Sequence, residues 1–258
     1  MPDNPISKHH TYKPLIGNQS RSRGIYLLPN LFTTAALFAG FYAIVQAMNG
    51  HFELAAVAIF VAMVLDGLDG RVARMTHTQS AFGAEYDSLS DMVSFGVAPA
   101  LIAYVWALKG MGKLGWMAAF VYCVGAALRL ARFNTQLEVA DKRYFQGLPS
   151  PAAAALVAGL VWVMNEHGID GSNATWLAFV VTLFAGLTMV SNVRYYSGKD
   201  INLRRSVPFI VVFLIAMGFV LIAYSPPEML FGVVAVYALS GYVMSAWTML
   251  RKRKIKSE

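Results

Sequence analysis

The chain has 258 residues, of which 57% are hydrophobic and 14% charged, with a formal net charge of +7 from 21 Lys+Arg against 14 Asp+Glu. A soluble domain carries a charged skin of roughly a quarter of its residues, and a disordered chain carries far fewer apolar ones, so neither class fits. The single cysteine, Cys123, excludes an intramolecular disulfide and a cysteine-based zinc site.

Windows of about 20 residues, the length that crosses a hydrocarbon core of about 30 Å, pick out apolar spans at approximately 25–48, 52–72, 88–108, 114–134, 149–165, 174–192, 206–224 and 228–249. Connections such as Asn49–His51 and Ser225–Pro227 are short, so consecutive spans are antiparallel neighbours. The expected fold is therefore an all-α polytopic transmembrane bundle of about eight spans. It divides into an N-terminal segment 1–24, a membrane-embedded domain 25–249 and a basic tail 250–258.

An even number of spans puts both termini on one side of the bilayer. That side then collects all but Lys109 and Lys113 of the 21 basic residues, and the positive-inside rule makes it cytosolic. The positive charge thus reads as topology, and no nucleic-acid partner is expected. The run Arg251 to Lys256 reads as a topology anchor.

The chemistry concentrates where the second and third spans approach each other. Asp66 and Asp69 lie three apart, so on a helix they share a face that Gly70, Ala73 and Arg74 continue. Asp87 and Asp91 lie four apart and do the same on the next span. The two spans form a helical hairpin that can gather four carboxylates at the cytosolic membrane edge. A carboxylate at a span centre costs about 2.5–3.5 kcal/mol, and four together repel one another. Cations are the natural compensation, and an oxygen-only ligand set favours hard divalent ions, Mg²⁺ or Mn²⁺. Two ions bridged by shared carboxylates would suit polarisation of a diphosphate. Arg74 supplies a further cation for phosphate, and Gly70, Ala73 and Gly83 leave room for a bulky ligand against helix backbone. Glu85 is expected to face solvent, and His77 reads as a loop histidine. A divalent-cation transport site is the alternative from another class, and it predicts polar residues at mid-span depth.

The pattern Asp66-x2-Asp69-Gly70-x2-Ala73-Arg74-x8-Gly83-x3-Asp87-x3-Asp91 resembles, without a departure, the signature of the CDP-alcohol phosphatidyltransferase family. The resemblance implies an integral membrane enzyme with a six-helix core, here extended by two spans, and a homodimer. It implies metal-dependent transfer of a phosphatidyl group from a CDP-linked donor to an alcohol, with release of CMP. By the same resemblance Asp66, Asp69 and Asp87 are metal ligands, with Asp91 at the metal site as well, and Asp87 and Asp91 are catalytic, Asp91 as the base for the acceptor hydroxyl. Asp66, Asp69, Gly70, Ala73, Arg74 and Gly83 become binding positions for CDP-diacylglycerol.

Outside the signature, Leu28-Pro29-Asn30, Thr33-Thr34, Ser94 to Pro99, Arg129 to Asn134 and Phe145 to Pro151 are similar to the serine-accepting bacterial and archaeal branch of that family. This similarity implies L-serine as acceptor and a prokaryotic-type cytoplasmic membrane. Asn30 and Thr34 are then expected to contact the donor nucleotide, and Thr33 either to do so or to bond between helices. Arg129 and Arg132, three apart at the cytosolic end of the fourth span, are candidates for the serine carboxylate or else topology anchors. Ser94 and Asn134 line the acceptor pocket or make polar helix contacts. Glycerol 3-phosphate, inositol phosphate and choline stay open as acceptors, because the signature does not distinguish them.

Overall fold

The computed structural model describes residues 23–76, 78, 80–136, 144–197 and 209–255. His77, Lys142, Arg143, Lys199, Arg204 and Arg205, the segment before residue 23 and the last three residues lie outside the described residues. The helices are α1 (Arg23–Met48), α2 (Phe52–Thr76), α3 (Ala81–Asp91), α4 (Ala98–Trp106), α5 (Lys113–Gln136), α6 (Ser150–Glu166), α7 (Thr175–Val190), α8 (Phe209–Tyr224) and α9 (Pro226–Ile255). A π-helical stretch, Met92–Val97, joins α3 to α4 without a break, so the described residues form eight helical rods, one for each expected span. Four of these, Leu28–Met48, Ala81–Trp106, Lys113–Thr135 and Pro226–Trp247, are long and apolar enough to cross a membrane by length and composition.

The boundaries differ from expectation where the carboxylates lie. The second rod continues to Thr76 and the third starts at Ala81, so only four residues separate them in sequence, where the expected spans ending at 72 and beginning at 88 leave fifteen. Hydropathy falls at Asp66, Asp69 and Asp87, but backbone hydrogen bonding does not. Ser80 starts α3 as its N-cap, its Oγ accepting from the Gly83 amide at 3.0 Å.

Lipid offers no hydrophobic force to drive two apolar helices together, so close packing of small residues holds them. The chain has the residues for it. Ala36, Ala39, Ala43 and Ala47 recur at helical spacing on α1 and are buried, as are Ala55, Ala58, Ile59 and Ala62 on α2. Where α5 crosses α7 the backbones touch: a Cβ on Gly125 would collide with the Gly186 carbonyl, and one on Gly186 would lie 2.7 Å from the Tyr122 Cα. Conversely, α8 turns large side chains such as Ile210, Phe213, Leu214 and Phe219 outward, as a lipid-facing helix does.

One element was not expected from an all-helical reading. Tyr144–Gln146 and Arg194–Tyr196 pair as a two-stranded antiparallel ribbon, with Phe145 opposite Tyr195. Gly147, at φ +77°, turns the chain out of the ribbon into α6, and the Leu148 amide donates to the Thr188 carbonyl at 3.1 Å. The ribbon therefore ties the α5–α6 and α7–α8 connections together at the end of the bundle that also holds the α2–α3 turn.

Candidate active site

Helical spacing delivers what the sequence promised on α2 and α3. Carboxylate oxygens of Asp66, Asp69 and Asp87 all lie within 4.8 Å of one another. Three ionised carboxylates at that range repel by roughly 3–4 kcal/mol per pair at an effective dielectric of about 20. The group is nonetheless held together from outside. Thr33 on α1, itself buried, donates its hydroxyl to Asp69 Oδ2 at 2.8 Å. Ser90 and Ser94 lash the same face of the third rod to α1 through the Thr33 and Ala36 carbonyls, both at 3.1 Å. Tyr86 meets the Thr34 hydroxyl at 2.9 Å.

Asp87 Oδ1 is buried with no hydrogen-bond partner among the described residues. A buried orphan oxygen beside two more carboxylates is the environment a hard divalent cation satisfies, so Asp66, Asp69 and Asp87 form a fitting divalent-metal site. Asp91 hydrogen-bonds to Asp66, outside that threesome, and lies within electrostatic reach of Arg129.

Next to the cluster opens a cavity of about 260 Å³ whose wall includes Asn30, Thr33, Asp69, Gly70, Ala73, Arg74, Gly83 and Asp87. The positions expected around the donor nucleotide thus converge on one space, and Arg74 lies over Gly70, where an added Cβ would stand 3.6 Å from its Nη1. Asp66 and Thr34 are not part of this wall. Thr34 spends its hydroxyl on the Asn30 carbonyl at 2.7 Å and on Tyr86, while its neighbour Thr33 faces the space. Thr78 and Ser80 also line it; their one sequence cue is the N-cap serine before the apolar rod. Glu85 is exposed, on the outer side of the hairpin.

The four candidate acceptor residues do not share one pocket. Ser94 is fully buried against α1. Asn134 donates to Ser88 Oγ at 3.0 Å, bridging α5 to α3. Arg132 donates to the Val190 carbonyl at 3.0 Å and the Ser191 carbonyl at 3.4 Å, which caps the C-terminus of α7 where carbonyls lack helical partners. Arg129 alone of the four adjoins the carboxylates. It lies within electrostatic reach of Asp91 and Asp66, Nη1 donates to Ser150 Oγ at 2.6 Å, and Nε is buried without a partner among the described residues.

A membrane bundle with a carboxylate hairpin beside an arginine-flanked cavity of about 260 Å³ fits a class of metal-assisted phosphotransfer enzymes. The chain belongs to the CDP-alcohol phosphatidyltransferase family, whose model matches residues 26–191, the stretch that holds the first six rods. A protein of Helicobacter pylori named CDP-diacylglycerol–serine O-phosphatidyltransferase is 38% identical over 229 residues, covering 88% of this chain and 94% of that one. Proteins of the same name from Methanocaldococcus jannaschii and Saccharomyces cerevisiae are 34% and 39% identical, over 72% and 50% of this chain and 81% and 51% of theirs. Membership in this family replaces the cation-transport alternative.

Proposed function

We propose that this integral membrane protein transfers the phosphatidyl group of CDP-diacylglycerol to the hydroxyl of L-serine, giving phosphatidylserine and CMP. The observation that carries the reading is the group of three carboxylates within 4.8 Å, set against the Arg74-flanked cavity. The serine acceptor rests on relatives of that name across bacteria, archaea and yeast.

Asp66, Asp69 and Asp87 would hold the divalent metal, two ions of Mg²⁺ or Mn²⁺. A divalent metal held by these carboxylates would supply positive charge to offset that of the diphosphate and of the departing CMP. Arg74, on the same helix as Asp66 and Asp69, would donate to the diphosphate, and Asn30 and Gly83 would frame the nucleotide. A side chain at position 83 would crowd it, since a Cβ there stands 3.1 Å from Ser80 Oγ and 3.5 Å from Asn30 Oδ1. The acyl chains stay in lipid between the rods. Arg129 receives the serine carboxylate through its free N–H groups, which brings the serine hydroxyl towards Asp91. Asp91 takes the hydroxyl proton as the serine oxygen bonds to the phosphorus that carries diacylglycerol. The bond from that phosphorus to the bridging oxygen breaks, and CMP leaves with that oxygen.

The sequence positions of the basic residues relative to the spans support a site and termini on the cytosolic face, with the enzyme acting as a homodimer in a prokaryotic-type cytoplasmic membrane. The test is CMP release by the detergent-purified protein from CDP-diacylglycerol, offered serine, glycerol 3-phosphate, inositol phosphate or choline in turn. Release with serine alone supports the assignment; release with another alcohol instead overturns the acceptor and keeps the chemistry.

A further inference from the structure

The third rod and α5 run antiparallel along a seam whose register is fixed by direct contacts. The Tyr122 hydroxyl donates to the Phe95 carbonyl at 3.0 Å, a Cβ on Gly96 would stand 3.2 Å from the Ala126 Cβ, and Asn134 donates to Ser88 Oγ at 3.0 Å. Arg129 lies between Ala126 and Asn134, and Asp91 between Ser88 and Gly96, so both belong to the same stretch of that seam. A third element reaches Arg129 there, because its Nη1 donates to Ser150 Oγ at 2.6 Å. Ser150 is fully buried in the first turn of α6, and its backbone is pinned on both sides. The Gly147 amide donates to the Val193 carbonyl at 2.8 Å, the Leu148 amide to the Thr188 carbonyl at 3.1 Å and the Ala153 amide to the Pro149 carbonyl at 2.9 Å. Pro149 and Pro151 stiffen the chain next to it. The oxygen that accepts from Arg129 is therefore set in place by segments far from α5 in sequence.

A guanidinium meets a carboxylate side-on through the fork of Nε and Nη2, the edge that excludes Nη1, and such bidentate recognition is directional. Tying Nη1 stops the head group from turning about the bonds of its stem and so fixes where that fork is aimed. Nε is buried without a partner among the described residues, and a buried donor of a charged group left unpaired is costly, which a bound carboxylate relieves. We propose that Ser150 is a positioning residue of the acceptor site, holding the Arg129 guanidinium by Nη1 so that its Nε–Nη2 fork is presented to the acceptor's carboxylate. The inference rests on the serine reading above.

The experiment is steady-state kinetics of full-length wild type, Ser150→Ala, Tyr242→Phe, Arg129→Lys and Ser150→Ala/Arg129→Lys in detergent, varying serine and CDP-diacylglycerol separately. Ser150→Ala removes one oxygen at the start of a helix that continues through Pro151 into four alanines, so the fold is retained, and the thermal unfolding midpoint checks it. KM for serine is expected to rise about 10-fold, with kcat and KM for CDP-diacylglycerol within about twofold of wild type. Tyr242→Phe, which cuts the contact of that hydroxyl with Thr188 Oγ1 at 2.7 Å and touches neither Arg129 nor Ser150, leaves KM for serine unchanged. In the Arg129→Lys background Ser150→Ala changes KM for serine by less than about twofold, because an ammonium has no fork to aim. An unchanged KM for serine in Ser150→Ala, an equal rise in both KM values, an equal rise in Tyr242→Phe, or the full rise in the Arg129→Lys background would each overturn the inference while leaving the serine reading intact. A wild type that releases CMP with another alcohol and not with serine would instead overturn the serine reading, and this inference with it.

Discussion

Replacing Thr33 with valine removes one hydroxyl from the wall of the carboxylate cluster and changes little else in shape. That hydroxyl is 3% exposed and donates to Asp69 Oδ2 at 2.8 Å, so its loss leaves a buried charged oxygen short of a donor. A hydrogen bond to a charged group contributes about 1.5–3 kcal/mol, and partners behind a metal ligand typically change metal affinity by about 10- to 100-fold; the two ranges agree. The Thr33→Val protein is therefore expected to need about 10- to 100-fold more Mn²⁺ for half-maximal CMP release, with near-normal turnover once saturated. Direct Mn²⁺ titration followed by electron paramagnetic resonance checks the same shift without substrate. An unchanged half-saturating Mn²⁺ concentration in both measurements would refute the assignment of Asp69 as a metal ligand oriented from α1.

Further outcomes follow from the same geometry. Asp91→Asn is expected to lower kcat by about 10²- to 10⁴-fold, the usual contribution of a general base, while Mn²⁺ affinity stays within a few-fold because Asp91 stands outside the threesome; stopped-flow or steady-state CMP release measures the first and resonance titration the second. Gly125→Val drives a branched side chain into the Gly186 backbone and should lower the thermal unfolding midpoint in detergent, whereas Gly67→Ala, with nothing within 4 Å of the added Cβ, should not. Arg132→Ala removes donors from the Val190 and Ser191 carbonyls and is expected to cost about 1–3 kcal/mol of stability, with KM for serine unchanged; a selective rise in that KM would return Arg132 to the acceptor pocket.

The site was legible because its chemistry is costly. Four carboxylates at spacings of three and four beside a small-residue face have few purposes in a membrane, and Asp66, Asp69 and Asp87 come together as helical periodicity requires. The rods were legible for the same reason that lipid demands them. What escaped was whatever depends on partners distant in sequence. Nothing in Tyr144–Gln146 or Arg194–Tyr196 signals that the two segments pair across the bundle's end. The π-helical stretch after Asp91 reads as ordinary apolar helix, and nothing in the sequence signals that its Ser94 bonds the Ala36 carbonyl of α1. Arg132 looked like either an anchor or an acceptor ligand, and its third option, capping α7, required knowing where α7 ends. Thr34 and Thr33 are adjacent, so the direction of one helix turn decides which of them faces the cavity.

On the proposed reading, the hairpin carboxylates use a divalent metal to join serine to the phosphatidyl group. Its most direct test is incorporation of isotopically labelled L-serine into chloroform-soluble lipid by the purified protein with CDP-diacylglycerol, in Mg²⁺, in Mn²⁺ and in excess chelator, beside Asp87→Asn. Labelled phosphatidylserine formed with metal, matched mole for mole by CMP, and abolished by chelator and by Asp87→Asn, is the predicted result. Labelled lipid formed equally well in chelator or by Asp87→Asn would contradict the account.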